Sequence, residues 1–263
     1  MKPVFIREMK LNFKQLLIWS LTVGGLGLAC VLMYQSMQGD MKEMADMFSH
    51  MGAFSDAFGM STLSIATLKG FFATEVGTVH GLGGGLFAAI IAIGIIAKEE
   101  DKHTGEFLLS LPISKTKTIA AKGICVLVML VVFTCICGIM YALGFVILGE
   151  EIPAGEFMIF MLRQLLMNIE VACVCFFISG ISGKINMGAG LGMVLFLYAF
   201  DLIGRVVPAA KEYLFIGPYS YANASEIFSG VETKPVSVVF ATAVIVLSLI
   251  LSFLRFNKRD LAG

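Results

Sequence analysis

Six apolar runs of roughly twenty residues each divide this chain, and their length limits what it can fold into more than any other feature. They cover about Leu16 to Met33, Thr78 to Ala97, Gly123 to Leu148, Phe157 to Ile181, Gly188 to Val207 and Val236 to Leu254. A helix of about 20 residues crosses the ~30 Å hydrocarbon core of a bilayer. Backbone groups there find no water, so each run must satisfy its own hydrogen bonds as a helix. Composition agrees: 58% of residues are hydrophobic and 14% charged, against roughly a quarter charged in soluble domains. The expected fold class is all-α, a polytopic membrane protein with six transmembrane helices. Residues 1–263 read as a single transmembrane domain, without internal repeat or low-complexity tract.

Charge placement orients the expected bundle. Thirteen lysines and arginines flank the spans on the side of the termini, among them Lys2, Arg7, Lys98, Lys122, Lys184 and Arg255; only Lys42, Lys69, Lys211 and Lys234 lie on the other. Basic residues concentrate on the cytoplasmic side, which places both termini in the cytoplasm and the chain in the cell membrane. The first run lacks a small-residue cleavage pattern after Tyr34, so it reads as a span and not a signal peptide. Before it, Pro3 to Lys14 alternates Val4, Phe5, Met9 and Phe13 with Arg7, Lys10 and Lys14. This predicts a basic amphipathic N-terminal helix on the inner surface.

Two external segments carry further information. Gln35 to Gly77 is rich in Met and Phe and acidic through Asp40, Glu43, Asp46 and Asp56, reading as one or two short helices broken near Gly52 and Gly59. Its methionines suit packing between spans, with a soft metal or a greasy substrate as the alternative. Pro208 to Pro235 has turn chemistry at Gly217-Pro218 and Gly230 and reads as an interfacial or partly re-entrant hairpin.

Between the second and third runs lies a polar island, Lys98 to Lys122. Glu99, Glu100 and Asp101 leave the membrane, Thr104 offers a helix cap, Glu106 suits the positive end of a helix dipole, and Pro112 ends the helix. Phe107, Leu108 and Leu111 share a face. By spacing alone this is either an ordinary loop tucked under the bundle or a docking site for another protein.

The string from Glu99 to Lys122, with an acidic cluster, then TGEFLLSLPIS and a lysine entering the third run, resembles the ABC-2 type permeases, the membrane halves of ATP-driven exporters. The likeness extends over the chain: a basic amphipathic start, six spans, a long first external segment and a short tail from Phe256. It implies that this segment is a cytoplasmic coupling helix received by a nucleotide-binding subunit, with Glu99, Glu100, Thr104, Gly105, Glu106, Phe107, Leu108 and Pro112 as the coupling residues. It also implies an ABC ATP-binding subunit as partner and a second permease subunit, identical or related. ATP and Mg would then be bound by the partner, with no cofactor in this chain. The chain agrees by lacking a phosphate loop: Gly183-Lys184 is followed by Ile185, without the earlier glycine.

Four ionisable residues fall in or near spans, where charge is costly: Arg163, Glu170, Asp201 and Arg205. Arg163 and Glu170 lie two turns apart on one face, suited to a polar seam with Gln164 or Asn168. Asp201 and Arg205, at i and i+4, are spaced to pair. These groups serve either as interhelical ties or as an ion relay. Glu75 and His80 read as residues at the mouth of the second span, and Gly81, Gly83, Gly84, Gly85, Gly188, Gly190 and Gly192 as close-packing faces.

Other classes find little support. All six cysteines fall in apolar runs, as buried thiols do, and no metal site is expected. His50, His80 and His103 are dispersed and read as outside the spans, against an intramembrane hydrolase. A formal net charge of zero and the lack of a basic stripe exclude a nucleic-acid partner. The expectation is the permease subunit of an ABC exporter for a hydrophobic or amphipathic substrate in the lipid bilayer. It is not itself an enzyme; the alternative is an ion-coupled secondary transporter, which would show two similar halves.

Overall fold

The computed structural model describes residues 1–37, 39–101, 114–182 and 184–258. Six helices in it are long and apolar enough to cross a membrane. In chain order they are α1 (Lys2–Met37), α2 (Leu68–Ile93), α3 (Lys115–Leu148), α4 (Ala154–Ile181), α5 (Met187–Val206) and α6 (Pro235–Lys258). Among the described residues there is no strand. The chain is therefore an all-α polytopic membrane protein.

The boundaries follow local chemistry. Thr67 Oγ1 accepts a hydrogen bond from Gly70 N at 3.0 Å and starts α2. Ser114 caps α3 and Asn186 caps α5 in the same way, satisfying amide donors that a helix start leaves over. The end of α3 is Gly149, left-handed at φ 68°, a conformation that costs glycine nothing.

Two boundaries differ from expectation. Pro3 to Lys14 is not a separate surface helix; it is the beginning of α1, one uninterrupted helix of 36 residues. The reason is visible in its buried stripe, Val4, Glu8, Leu16, Ser20, Val23, Gly27, Val31 and Tyr34. Steps of three, four or eight keep one face turned inward along the whole length, so nothing breaks the helix where charges give way to apolar residues. The second span begins at Leu68, ten residues before the apolar run suggested, and includes a π-helical turn at Phe72–Val76. Glu75 is therefore inside a helix, and the mean hydropathy there concealed the start.

The bundle closes around Phe72, fully buried, whose ring meets Tyr141, Phe145, Phe157, Phe160 and Phe228 at centroid distances of 5.3 to 6.0 Å. Edge and tilted contacts of this kind favour one arrangement beyond the area they bury. Phe228 belongs to the segment between α5 and α6, which folds inward: Tyr219, Tyr221, Ala224 and Ile227 are also buried. His80 is likewise a core residue and not an interfacial one, with Nδ1 2.9 Å from the Tyr141 hydroxyl. Glycine faces let α2 approach its neighbours, since a Cβ at Gly83 would stand 2.6 Å from Val23 and one at Gly84 2.8 Å from Asn168. Of the three glycines at the start of α5, Gly190 packs against Ile93 of α2, whereas nothing lies within 4 Å of Gly192 and Gly188 meets only Asn186 of its own turn.

The start of α1 and the end of α6 lie toward one end of the bundle, where Thr116 Oγ1 at the start of α3 donates to Asn257 Oδ1 at the end of α6. At the distal end, Met41–Ser49 and Ala53–Phe58 form two short helices, with positive φ at Gly52 and Gly59.

Candidate functional site

At the terminal end, three elements meet through buried charge. Glu8 takes an inward position on α1, at the i+4 spacing from Val4 that an apolar residue would ordinarily fill. Lys122 takes the corresponding position on α3, and Glu99 follows the turn after α2. Lys122 Nζ lies 3.0 Å from Glu8 Oε1 and 3.1 Å from Glu99 Oε1, and also donates to the Ile95 carbonyl at 2.5 Å. Lys98 donates to Glu8 Oε2, and Arg7 lies 3.4 Å from Glu99. The side chains of Glu8, Lys122 and Glu99 are 0%, 1% and 4% exposed. Burial, together with the Lys122 ammonium, pulls the Lys98 pKa below the usual lysine value, against the opposing pull of Glu8.

Charges in so dry a place are tolerated only when paired, and removing one partner strands the rest. The cluster therefore fixes where the chain leaves α2 and where it enters α3, and fastens both points to the N-terminal turns of α1.

The membrane-embedded polar residues make a second set, closer to the distal end. Arg205 Nε and Nη2 bind the two Asp201 carboxylate oxygens at 2.8 and 3.1 Å, and its Nη1 binds Glu226 Oε1 at 3.1 Å. Glu170 Oε2 accepts from the Tyr221 hydroxyl at 2.7 Å. Arg163 donates to the Tyr221 carbonyl at 3.2 Å and to Thr233, and Gln164 to the Ala222 carbonyl at 2.9 Å. These side chains of α4 and α5 tie down the inward-folded segment between α5 and α6.

The profile of one family, described as ABC-2 family transporter protein, matches residues 4–261. The chain belongs to the ABC-2 family of transporter proteins. No curated protein matches it. As an ABC-2 permease it is a multi-pass membrane component of a transporter, and the family implies partnership with an ATP-binding subunit.

In this ABC-2 permease, Glu99 belongs to the buried cluster and Glu100 lies beside it, half-buried in the short helix Lys98–Asp101. Thr104, Gly105, Glu106, Phe107, Leu108 and Pro112 lie outside the described residues. Asp201 and Arg205 meet each other; Arg163 and Glu170 do not bond, but both reach Tyr221. Glu8, Lys98 and Lys122 escaped notice as a set. One signal was present, an acidic residue on the inward stripe of an otherwise basic segment; its partners stand 90 and 114 residues away. Among the described residues no group of three His, Cys, Asp or Glu is placed to hold a metal.

Proposed function

We propose that this ABC-2 permease is the membrane subunit of an exporter that moves a hydrophobic or amphipathic substrate across the cytoplasmic membrane. The whole chain then acts as one membrane domain, paired with a second permease copy or a related chain, and both termini face the cytoplasm. ATP and Mg are held by a separate ABC subunit, which receives the segment from Glu99 to Lys122, with Glu106 and Phe107 among the contacts. Closure of the ATPase pair displaces that segment, and the paired bundles rearrange. No residue of this chain performs covalent chemistry in this cycle.

The observation that supports this reading is the buried Glu8, Glu99 and Lys122 cluster. It fastens both flanks of the proposed docking segment to α1, a geometry suited to mechanical coupling. Apolar, Phe-rich spans favour an amphipathic cargo over a strongly charged one. The test is purification of the tagged protein in mild detergent, with identification of what accompanies it and an ATPase assay. An ABC ATPase that is present with the wild type and lost with Glu106→Ala or Phe107→Ala is the expected result. Transport that proceeds without any ATPase partner overturns the proposal and directs attention to Glu170 and Asp201 as an ion relay.

A further inference from the structure

At the distal end, the last turns of α1, the short helix Met41–Ser49 and the π-helical turn of α2 line a cavity of about 240 Å³ that is partly open. Five methionines line it: Met33, Met37, Met41, Met44 and Met60. Phe48 and Phe71 supply aromatic wall, and Phe71 is held in place by the ring of Tyr34 at 5.6 Å. Unbranched thioether side chains adapt to apolar bodies of varied shape, which is why they recur on permissive binding surfaces.

Among the described residues, the one carboxyl on this wall is Glu75. It sits within the π-helical turn Phe72–Val76, a distortion that recurs at functional positions in helices. Among the described residues, no cation or hydrogen-bond donor reaches its carboxylate. The nearby Lys69 is engaged elsewhere, with Nζ 2.6 Å from Glu156. A half-buried carboxylate among apolar side chains is costly unless something answers its charge. Other buried acids of the bundle have such an answer: Glu8 and Glu99 from lysines, Asp201 from Arg205, Glu170 from Tyr221. Asp40 and Glu43 are exposed beside the lining residues Met41 and Met44, with Lys42 between them in sequence.

We infer that this cavity binds an organic cation with an apolar body, the positive group set against Glu75 and the body against the methionines and the two phenylalanines. Aromatic faces add attraction for the same charge. A bare soft metal ion would occupy only a small part of the space and leave most of the apolar wall uncovered. The inference concerns binding to the permease alone and does not rest on the exporter reading, so each stands or fails separately.

The test is fluorescence polarisation of rhodamine 6G, an apolar cation, with the purified full-length protein in an uncharged detergent. Nile red, uncharged and similarly apolar, serves as the comparison. Glu75→Gln should weaken rhodamine 6G binding about tenfold while leaving Nile red within about twofold. Asp40→Asn, which removes a charge at the rim, should change rhodamine affinity by less than about threefold. Met41→Ala with Met44→Ala should weaken both dyes. Equal affinity of wild type and Glu75→Gln for rhodamine 6G, with unchanged melting temperatures, overturns the inference. So does silver ion displacing both dyes at one equivalent, which would make the sulfurs a metal site.

Discussion

Glu8 Oε1 and Lys122 Nζ lie 3.0 Å apart although 114 residues separate them in the chain, and both side chains are buried. Removing this cation takes from two buried carboxylates the lysine they share, since Lys122 also faces Glu99, and leaves Lys98 beside Glu8 and Arg7 beside Glu99. Lys122→Met should cost about 3–5 kcal/mol of stability. Adding Glu8→Gln to that variant should cost less than the single changes imply, with a coupling of about 1 kcal/mol or more between the sites. Melting temperatures of the four proteins in detergent supply the cycle; strict additivity would mean that the cluster is not one network.

Arg205 serves two carboxylates, so its loss and the loss of Asp201 are unequal. Arg205→Met leaves Asp201 buried without a cation and should cost about 3–5 kcal/mol. Asp201→Asn keeps an acceptor and leaves Arg205 its bond to Glu226, with a cost of about 1–2 kcal/mol. Transport by Asp201→Asn should survive with an unchanged pH profile. Abolished transport in a normally folded Asp201→Asn protein would identify an ion relay.

Glycines in this bundle divide by what faces them. A Cβ at Gly27 would overlap the ring of Tyr141, which is itself held by His80, so Gly27→Ala should cost about 1–3 kcal/mol through overpacking. Gly192 has open space around it, and Gly192→Ala should be neutral or gain up to about 1 kcal/mol in helix propensity. Unfolding in a graded series of sodium dodecyl sulfate ranks the two; the reverse order would contradict the packing of α1 on α3.

Sidedness is checked by labelling. Lys117 and Lys211 are exposed at opposite ends of the bundle. With both termini cytoplasmic, an impermeant maleimide should modify Lys211→Cys on intact cells and Lys117→Cys only after permeabilisation. The opposite pattern would invert the proposed orientation.

Tyr221 carries the fifth contrast. Tyr221→Phe removes the donor to Glu170 and leaves a buried carboxylate without it, a loss of about 1–3 kcal/mol. Limited proteolysis should then cut faster within residues 208–235, while cleavage in residues 39–67 keeps its rate. Uniform acceleration would mean general loosening instead.

Span number and helical class were legible in the residues because both are local properties. A run such as Gly123 to Leu148 is apolar whatever its neighbours do, and hydrocarbon leaves its backbone one solution. The i, i+4 pair Asp201 and Arg205 was legible for the same reason, since a helix alone brings them together. The start of α2 was not, because Leu68 to Gly77 mixes Lys69 and Glu75 with apolar residues and is held as helix by Phe72 in the core. His80 read as interfacial until the preceding turns proved helical and Tyr141 met its ring.

The same division explains the two candidate sites. Sequence carried the family, through the string leaving Glu99 and the spacing of six spans, because those features are written in consecutive residues. It could not carry the Glu8, Lys98, Glu99 and Lys122 cluster, nor the cavity in which Glu75 faces five methionines from three segments. Each requires helices distant along the chain to come within a few ångströms, and that proximity is set by packing: by the inward stripe of α1 against α3, and by Phe72 fixing α2 against α3 and α4. Whether a charge is a solvated face or a buried anchor depends on what packs over it, and no stretch of consecutive residues contains that fact.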